Sequence, residues 1–355
     1  MFLRNSWYVF GWAHDLEQAA GPLGRIIIGE PVVLWRDGGG CLRGMEDRCP
    51  HRHAPLSLGR VEGATLRCMY HGMTFDTDGH CVGVPLMERP PAAKLRVYPA
   101  VEKNDWLWVW MGDPDAADET FIPDAFGVTD PSQPMRSHSI EYAAHYQLIH
   151  DNLCDLSHVD FVHSTTLRPV TGADWSATAP RVRVQDRAIH IDRWFESAQR
   201  PDDPNVRVDT WSSYDFVVPG IFIMRSARYP AGTAIACGGR EPAGIEPLSR
   251  NIEQQAVTPI SAKRTAYHYA TGLIGNTAVA IETLAQRMGV VMAAFEEDRS
   301  IIEGQQRIWD LTAPEAPKIF LPQDKAPSLM RQLMRKLIAQ EAQKDTPRTE
   351  LAQEA

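Results

Sequence analysis

At 355 residues the chain is long enough for two domains, and its net charge of −9, without any basic run or stripe, excludes a nucleic-acid binder. The composition is ordinary globular, 44% hydrophobic and 23% charged, and no stretch of about eighteen apolar residues suggests a membrane span. The opening Met-Phe-Leu-Arg-Asn-Ser-Trp-Tyr lacks the apolar core and cleavage site of a signal peptide, so the expected location is cytoplasmic.

Residues 1–113 read as a mostly β domain. The run from Gly24 to Trp35 is β-branched and broken by Gly and Pro, Asp37-Gly-Gly-Gly40 is a tight turn, and Thr74 to Gly79 leads into another. The stretch 84–92 holds prolines that remove backbone donors and is expected to be a loop. Trp106-Leu-Trp-Val-Trp-Met111 reads as a core strand closing the sheet.

Within this domain lie two hooks, Cys49-Pro-His51 and Cys68-Met-Tyr-His71, sixteen positions apart. Each offers a thiolate and an imidazole, together one closed four-ligand site for structural zinc or an iron–sulfur cluster. Zinc sites usually pair Cys with Cys and His with His, whereas one of each per hook lets two sulfurs hold one iron and two imidazoles the other. The spacing therefore argues for a Rieske [2Fe–2S] cluster on Cys49, His51, Cys68 and His71. Tyr70 either donates its hydroxyl to a cluster sulfur or simply packs. His53 reads as a surface histidine, since the ligand set is complete. Cys41, Cys81, Cys154 and Cys237 read as reduced thiols.

An acidic, turn-rich stretch at 112–119 marks a boundary. Beyond it, residues 114–325 read as an α+β domain, with antiparallel strands expected at 182–194 and 210–224. A long helix is expected over 276–306, capped by Asn276, where Gly289 marks close packing or a kink. Residues 326–355 read as an amphipathic helix with a frayed tail. Apolar pairs recur every four residues over 328–339, a face for docking on the chain itself or on a neighbouring subunit.

A second constellation starts at Asn152-Leu-Cys-Asp155-Leu-Ser-His158 and ends at His163. Asp155 and His158, three apart, share a helix face. His158 and His163 are five apart, about 140° around an ideal helix, so both reach one metal only if the helix ends, widens or kinks between them. His145 and His150 read as structural, and Asp160 as facing solvent.

The first hook with its continuation His51-Arg52-His53-Ala54-Pro55-Leu56, and the second ending in His71-Gly72, resemble the Rieske motif. Followed by Asp-x-x-His-x-x-x-x-His, they resemble the Rieske non-haem iron oxygenases. The resemblance implies a facial triad for mononuclear Fe(II) made by His158, His163 and a later carboxylate. By the family's Glu-Asp pattern that carboxylate is Asp298, with Glu297 the rival and Glu296 and Glu303 solvated. It implies that Asp155 bridges to a Rieske histidine across a subunit interface in a homotrimer, and that Asn152 supports the site.

Arg4-Asn5-Ser6-Trp7-Tyr8-Val9 and the single-chain length resemble the O-demethylase branch, of the vanillate demethylase type. That implies O₂ and NADH as co-substrates, electrons from a reductase carrying flavin and a [2Fe–2S] centre, and release of formaldehyde from a methoxylated aromatic acid, vanillate-like or a lignin-derived biaryl. Arg225, Arg228, Arg240 and His268 are candidates to meet the acid. The small residues of Val290-Val-Met-Ala-Ala294 suggest a roomy pocket or helix packing. Aryl-methyl hydroxylation, ring dihydroxylation, a Rieske electron carrier and a zinc-stabilised binding module are the alternatives.

Overall fold

The computed structural model describes every residue except 130–133, 168–170, 201–202, 275–280, 314 and 346–355. Its N-terminal third is built from ten short strands: β1 (Trp7–Trp12), β2 (Leu23–Ile27), β3 (Glu30–Arg36), β4 (Leu42–Glu46), β5 (Arg60–Glu62), β6 (Thr65–Arg67), β7 (Thr74–Phe75), β8 (Cys81–Gly83), β9 (Ala100–Lys103) and β10 (Trp106–Trp110). A short helix, α1 (Ala13–Ala19), follows β1. The strands form three antiparallel sheets, ordered β1-β10-β9, β2-β3-β4 and β5-β6-β7-β8. The Asp37–Gly40 turn forms as expected, with Gly40 at φ +82 and its N–H on the Asp37 carbonyl. Residues 84–92 contain no strand or helix.

Strand β10 is fully buried, and its period-2 alternation sends its side chains into two different cores. Leu107 and Val109 pack with Phe10, Val32 and Leu34 inside the N-terminal lobe. Trp106, Trp108 and Trp110 join Trp7 and Trp12 of β1 and meet Ile221, Ile223 and Ile252 of the second half. The tryptophan strand is core, as expected, but core shared between the two halves.

The second half carries β11 (Met135–Tyr142), β12 (Arg181–Val184), β13 (Ala188–Arg200), β14 (Asp203–Val217), β15 (Ile221–Pro230), β16 (Ser249–Ser261) and β17 (Arg264–Ile274). They make one antiparallel seven-stranded sheet, ordered β11-β17-β16-β15-β14-β13-β12. The expected strands 182–194 and 210–224 each cross a turn. The first breaks between Val184 and Ala188, the second between Val217 and Ile221 at Pro219-Gly220, where proline cannot donate to a ladder. The two halves are also sewn by main chain. Ile28 N–H donates to Pro259 O at 2.7 Å, Gly29 N–H to Ile260 O at 2.9 Å, and the Thr258 hydroxyl to Val9 O.

Helices α2 (Tyr146–Cys154), α3 (Val159–Val162), α4 (Thr233–Ala236), α5 (Ile281–Leu311) and α6 (Lys325–Asp345) complete the chain. The expected long helix is α5. It runs five residues past the expected end at 306, and the proposed cap Asn276 lies outside the described residues. A Cβ at Gly289 would meet nothing within 4 Å, so close packing does not explain that glycine.

The C-terminal helix docks on its own chain. Met330, Leu333 and Met334 are buried in the core that also holds Ile149 and Leu153 of α2. Arg331 Nε donates to Asp151 Oδ1 at 2.9 Å and a second guanidinium nitrogen to Oδ2, while Glu341 accepts the backbone N–H groups of Arg4 and Asn5. Burial pushes the Asp151 carboxyl up, and Arg331 opposes that shift. Removing the cation leaves a half-buried carboxylate on the helix that carries Asn152. Arg331→Ala is therefore expected to cost roughly 1–3 kcal/mol, read as a lower denaturant midpoint at unchanged m-value.

Candidate metal centres

The two hooks adopt one backbone design. In the first, Cys49 N–H donates to Ala54 O and His53 N–H returns to Cys49 O, both at 2.9 Å. In the second, Cys68 N–H donates to Met73 O at 2.8 Å and Gly72 N–H returns to Cys68 O at 3.0 Å. His53 and Gly72 are thus equivalent, and both have positive φ, +56 and +78. That conformation favours glycine, as at 72, so the histidine at 53 carries its Cβ at some strain. His53 is exposed, in keeping with its reading as a surface residue.

Cys49 and Cys68 are buried, at 2% and 1% exposure, while the rings of His51 and His71 sit at the surface with centroids 4.6 Å apart. Burial, reinforced by the neighbouring Cys68, pushes the Cys49 thiol up, so a thiolate there calls for a cation. Two inner sulfurs and two outer imidazoles fit a [2Fe–2S] cluster whose histidine-bound iron faces outward. Tyr70 is 59% exposed with its ring against His71 at 4.0 Å, a packing role rather than burial among sulfurs. All six cysteines are unpaired, as expected.

The second constellation is not one helix. Helix α2 stops at Cys154, and Asp155, at φ −122 and ψ 100, leaves helical geometry and caps a 3-10 turn over Leu156–His158. Helix α3 then ends at His163, with φ −103 and ψ 23. These breaks swing both imidazoles to one point, where they meet Asp298 from α5. Ligand atoms of His158, His163 and Asp298 all lie within 4.8 Å of one another. His158 Nε2 is 3.5 Å from Asp298 Oδ1, and His163 Nε2 is 3.3 Å from Oδ2.

Each ring is oriented from behind. His158 Nδ1 is 2.7 Å from the Asp155 carbonyl, which can only accept, so Nδ1 carries a proton and Nε2 is the nitrogen turned toward Asp298. His163 Nδ1 is 2.8 Å from Glu297 Oε2, with the same consequence. Glu297 also accepts from the Thr166 hydroxyl at 2.7 Å, which holds it behind the ring and away from the triad. The amide of Asn152 donates to Asp298 Oδ1 at 3.0 Å and lies 3.3 Å from His158 Nε2. Two imidazoles anchored at Nδ1 and one carboxylate fit a facial triad for Fe(II).

Several single-residue expectations need correction. Asp155 and His158 do not share a helix face. The link between them is the Asp155 carbonyl, while the Asp155 side chain accepts the Ser157 N–H at 2.9 Å. Asp160 does not simply face solvent, because it accepts the Ser176 N–H at 2.7 Å. Glu303 accepts the Ala143 N–H at 2.9 Å, whereas Glu296 is a surface partner of Arg299 as expected. His145 caps α2, and His150 is fully buried, its pKa pushed down to about 3 by desolvation, so both are structural.

A cavity of about 220 Å³ opens directly on the triad. Its apolar walls are Leu153, Leu156, Phe222, Met224, Val291 and Phe295, and Glu253 and Gln255 add polar groups. Of the small-residue run on α5, Val291 and Ala294 face the cavity while Val290 and Met292 are exposed. None of the four candidates to meet a substrate acid lines it. Arg225 pairs with Asp215, Arg228 with Ser249 and Arg240 with Cys237, and His268 is buried and neutral, its pKa driven down to about 3 by desolvation.

A Rieske-type cluster fold, joined to a sheet-and-helix half bearing a two-histidine, one-carboxylate cluster, defines a Rieske non-haem iron monooxygenase. Comparison with known proteins makes this specific. Residues 6–99 match the Rieske [2Fe-2S] domain family, and residues 142–340 match the vanillate O-demethylase oxygenase C-terminal domain family. The chain belongs to the Rieske non-haem iron oxygenases whose catalytic half is of the vanillate O-demethylase type. It is 35% identical over 353 residues to a toluene-4-sulfonate monooxygenase system iron–sulfur subunit of Comamonas testosteroni, covering 96% of this chain and 98% of that one. It is 29% identical over 356 residues to a vanillate O-demethylase oxygenase subunit of Pseudomonas sp. strain HR199, covering 96% of each. The crystal structure of dicamba monooxygenase bound to dicamba superposes with a TM-score of 0.82 at 27% identity, covering 96% of this chain and 99% of that one.

Sequence reading missed the role of Glu297, which lies 134 positions from its histidine and was weighed only as a ligand. Glu297→Ala should weaken mononuclear iron retention about 10–100-fold, because outer partners fix a ligand's tautomer and basicity. Glu297→Gln, which keeps an acceptor, should lose much less. Iron retained against a chelator, with the cluster's visible spectrum unchanged, is the measurement.

Proposed function

We propose that this chain is the terminal oxygenase of a multicomponent system that O-demethylates a methoxylated aromatic and releases formaldehyde. The observation that carries the reading is the convergence of His158, His163 and Asp298 at the end of a mainly apolar, ring-sized cavity. At about 220 Å³ it lies below the range of drug-sized sites, which favours a single substituted ring over a biaryl. In this proposal Cys49, His51, Cys68 and His71 hold the [2Fe–2S] cluster, and His158, His163 and Asp298 hold the mononuclear iron. The bound iron supplies O₂ activation and hydroxylation of the methoxy carbon, whose hemiacetal then breaks down to a phenol and formaldehyde.

The chain's own share is positioning. Phe222, Phe295 and Met224 offer apolar faces to an aromatic ring, and the dry walls exclude bulk water from the reacting carbon. Electrons come from NADH through a reductase with flavin and a [2Fe–2S] centre. The surface position of His51 and His71 suits delivery to a neighbouring subunit of a homotrimer, whose closed head-to-tail contacts would bring a partner's Asp155 to a Rieske histidine. Asp155 Oδ1 is engaged by Ser157, which leaves Oδ2 for that bridge. The toluene-4-sulfonate relative makes aryl-methyl hydroxylation the second reading. Formaldehyde from a methoxyarene, against a benzylic alcohol from a methylarene, separates the two.

The first test is iron and acid-labile sulfide per chain on anaerobically prepared protein. Three irons and two sulfides are expected; two irons and two sulfides in a fully loaded preparation would reduce the protein to an electron carrier. Asp155→Asn should keep both metal sites yet lose at least 90% of coupled turnover, because the electron bridge is weakened while every ligand remains. Turnover near wild type would remove Asp155 from the bridge.

A further inference from the structure

We infer that Glu253 and Gln255 make the cavity selective for uncharged aromatic ethers that carry a hydrogen-bond donor, and against their carboxylate counterparts. The inference deepens the O-demethylase reading and rests on it for the identity of the reacting methyl group, but not for binding.

The two residues stand two apart on β16, so they share the face that looks into the cavity. Their neighbours on β15 are in register, Met224 beside Glu253 and Phe222 beside Gln255, and both of those also line the cavity. This face therefore presents an aromatic and a thioether surface with one acceptor and one donor set into it.

The polarity of each group is fixed by what lies behind it. The buried Tyr267 hydroxyl donates to Gln255 Oε1, which ties down the carbonyl end of the amide. The Gln255 amide nitrogen has no hydrogen-bond partner among the described residues and is the end left for a ligand. Glu253 Oε1 accepts from Arg287 at 3.1 Å, and Arg287 in turn donates to Thr271 Oγ1 at 2.8 Å. Arg287 is outside the cavity lining, its guanidinium tied to Glu253 and β17, while Glu253 is in the lining. The ligand accordingly meets the carboxylate and not the cation.

A phenolic hydroxyl can donate to Glu253, and a carbonyl or amide oxygen can accept from Gln255. A ring carboxylate brought to the same wall faces a like charge in a mainly apolar cavity, where water does little to screen it. Asp298, the other carboxylate among the described lining residues, is taken up by the proposed iron, so at this wall Glu253 is the charge a ring substituent meets, with its Arg287 partner behind it. Specificity of this kind comes from a repulsive group as much as from an attractive one.

The test uses two ligands that differ in charge and little else, 4-hydroxy-3-methoxybenzoate and its primary amide. Each is titrated calorimetrically under anaerobic conditions into the fully metallated protein. The amide is expected to bind about tenfold more tightly, a gap of about 1.4 kcal/mol. Glu253→Gln should bring the two affinities within about twofold of each other or reverse their order, since it removes the repulsion and frees Arg287. Gln255→Leu should weaken the amide without improving the acid. Equal affinities, a tighter acid, no binding of either ligand, or a ratio unchanged in Glu253→Gln would each overturn the inference. If Glu253→Gln loses its cluster, the wild-type ratio decides alone. Formaldehyde release is assayed separately: a preserved binding preference without formaldehyde would count against O-demethylation and leave the charge selection standing.

Discussion

A coordination site made of imidazole works only if each ring offers the correct nitrogen, and here that choice is made before any ion arrives. The Asp155 carbonyl takes the Nδ1 proton of His158, and the Glu297 carboxylate takes that of His163. Both Nε2 atoms are then turned to the Asp298 side. Asn152 adds a charge-assisted hydrogen bond to Asp298. Two carbonyl-type acceptors and one amide convert three flexible side chains into one preorganised set.

This arrangement makes demands on distant parts of the fold. Helix α5 must hold Glu297 and Asp298 at adjacent positions, one behind a ring and one in front of it. Helix α2 must end where it does, so that Asn152 is still helical while Asp155 is not. Its own placement depends on α6, through the apolar contacts of Met330 and Met334 and the Arg331–Asp151 pair. The C-terminal helix is thus part of the structure that positions the His158, His163 and Asp298 cluster, although none of its residues belongs to that cluster.

What the sequence reveals follows from how local each interaction is. The two hooks are legible because the Cys and His of each are separated by one or two residues within tight turns. The pair His158 and His163 is legible only as a question, since five-residue spacing fails on a regular helix; the answer is the cap at Asp155 and the helix end at His163. The choice of Asp298 over Glu297 depends on which side of the His163 ring each carboxylate reaches, which no spacing rule encodes. Likewise 182–194 reads as one strand because the turn at 185–187 lacks glycine or proline, and Glu253 and Gln255 are invisible until neighbouring strands give their face a cavity.

The tryptophan strand has a further consequence. Because Trp106, Trp108 and Trp110 complete a core that Ile221, Ile223 and Ile252 share, the cluster lobe has no sealed interior of its own on that side. Cutting the chain between the lobes would lay bare a wall of indole rings, each among the largest apolar areas a residue can bury. The shared core therefore couples the stability of each lobe to the presence of the other. Exchanging the cluster lobe for another would require rebuilding the face of the sheet that its indole rings cover.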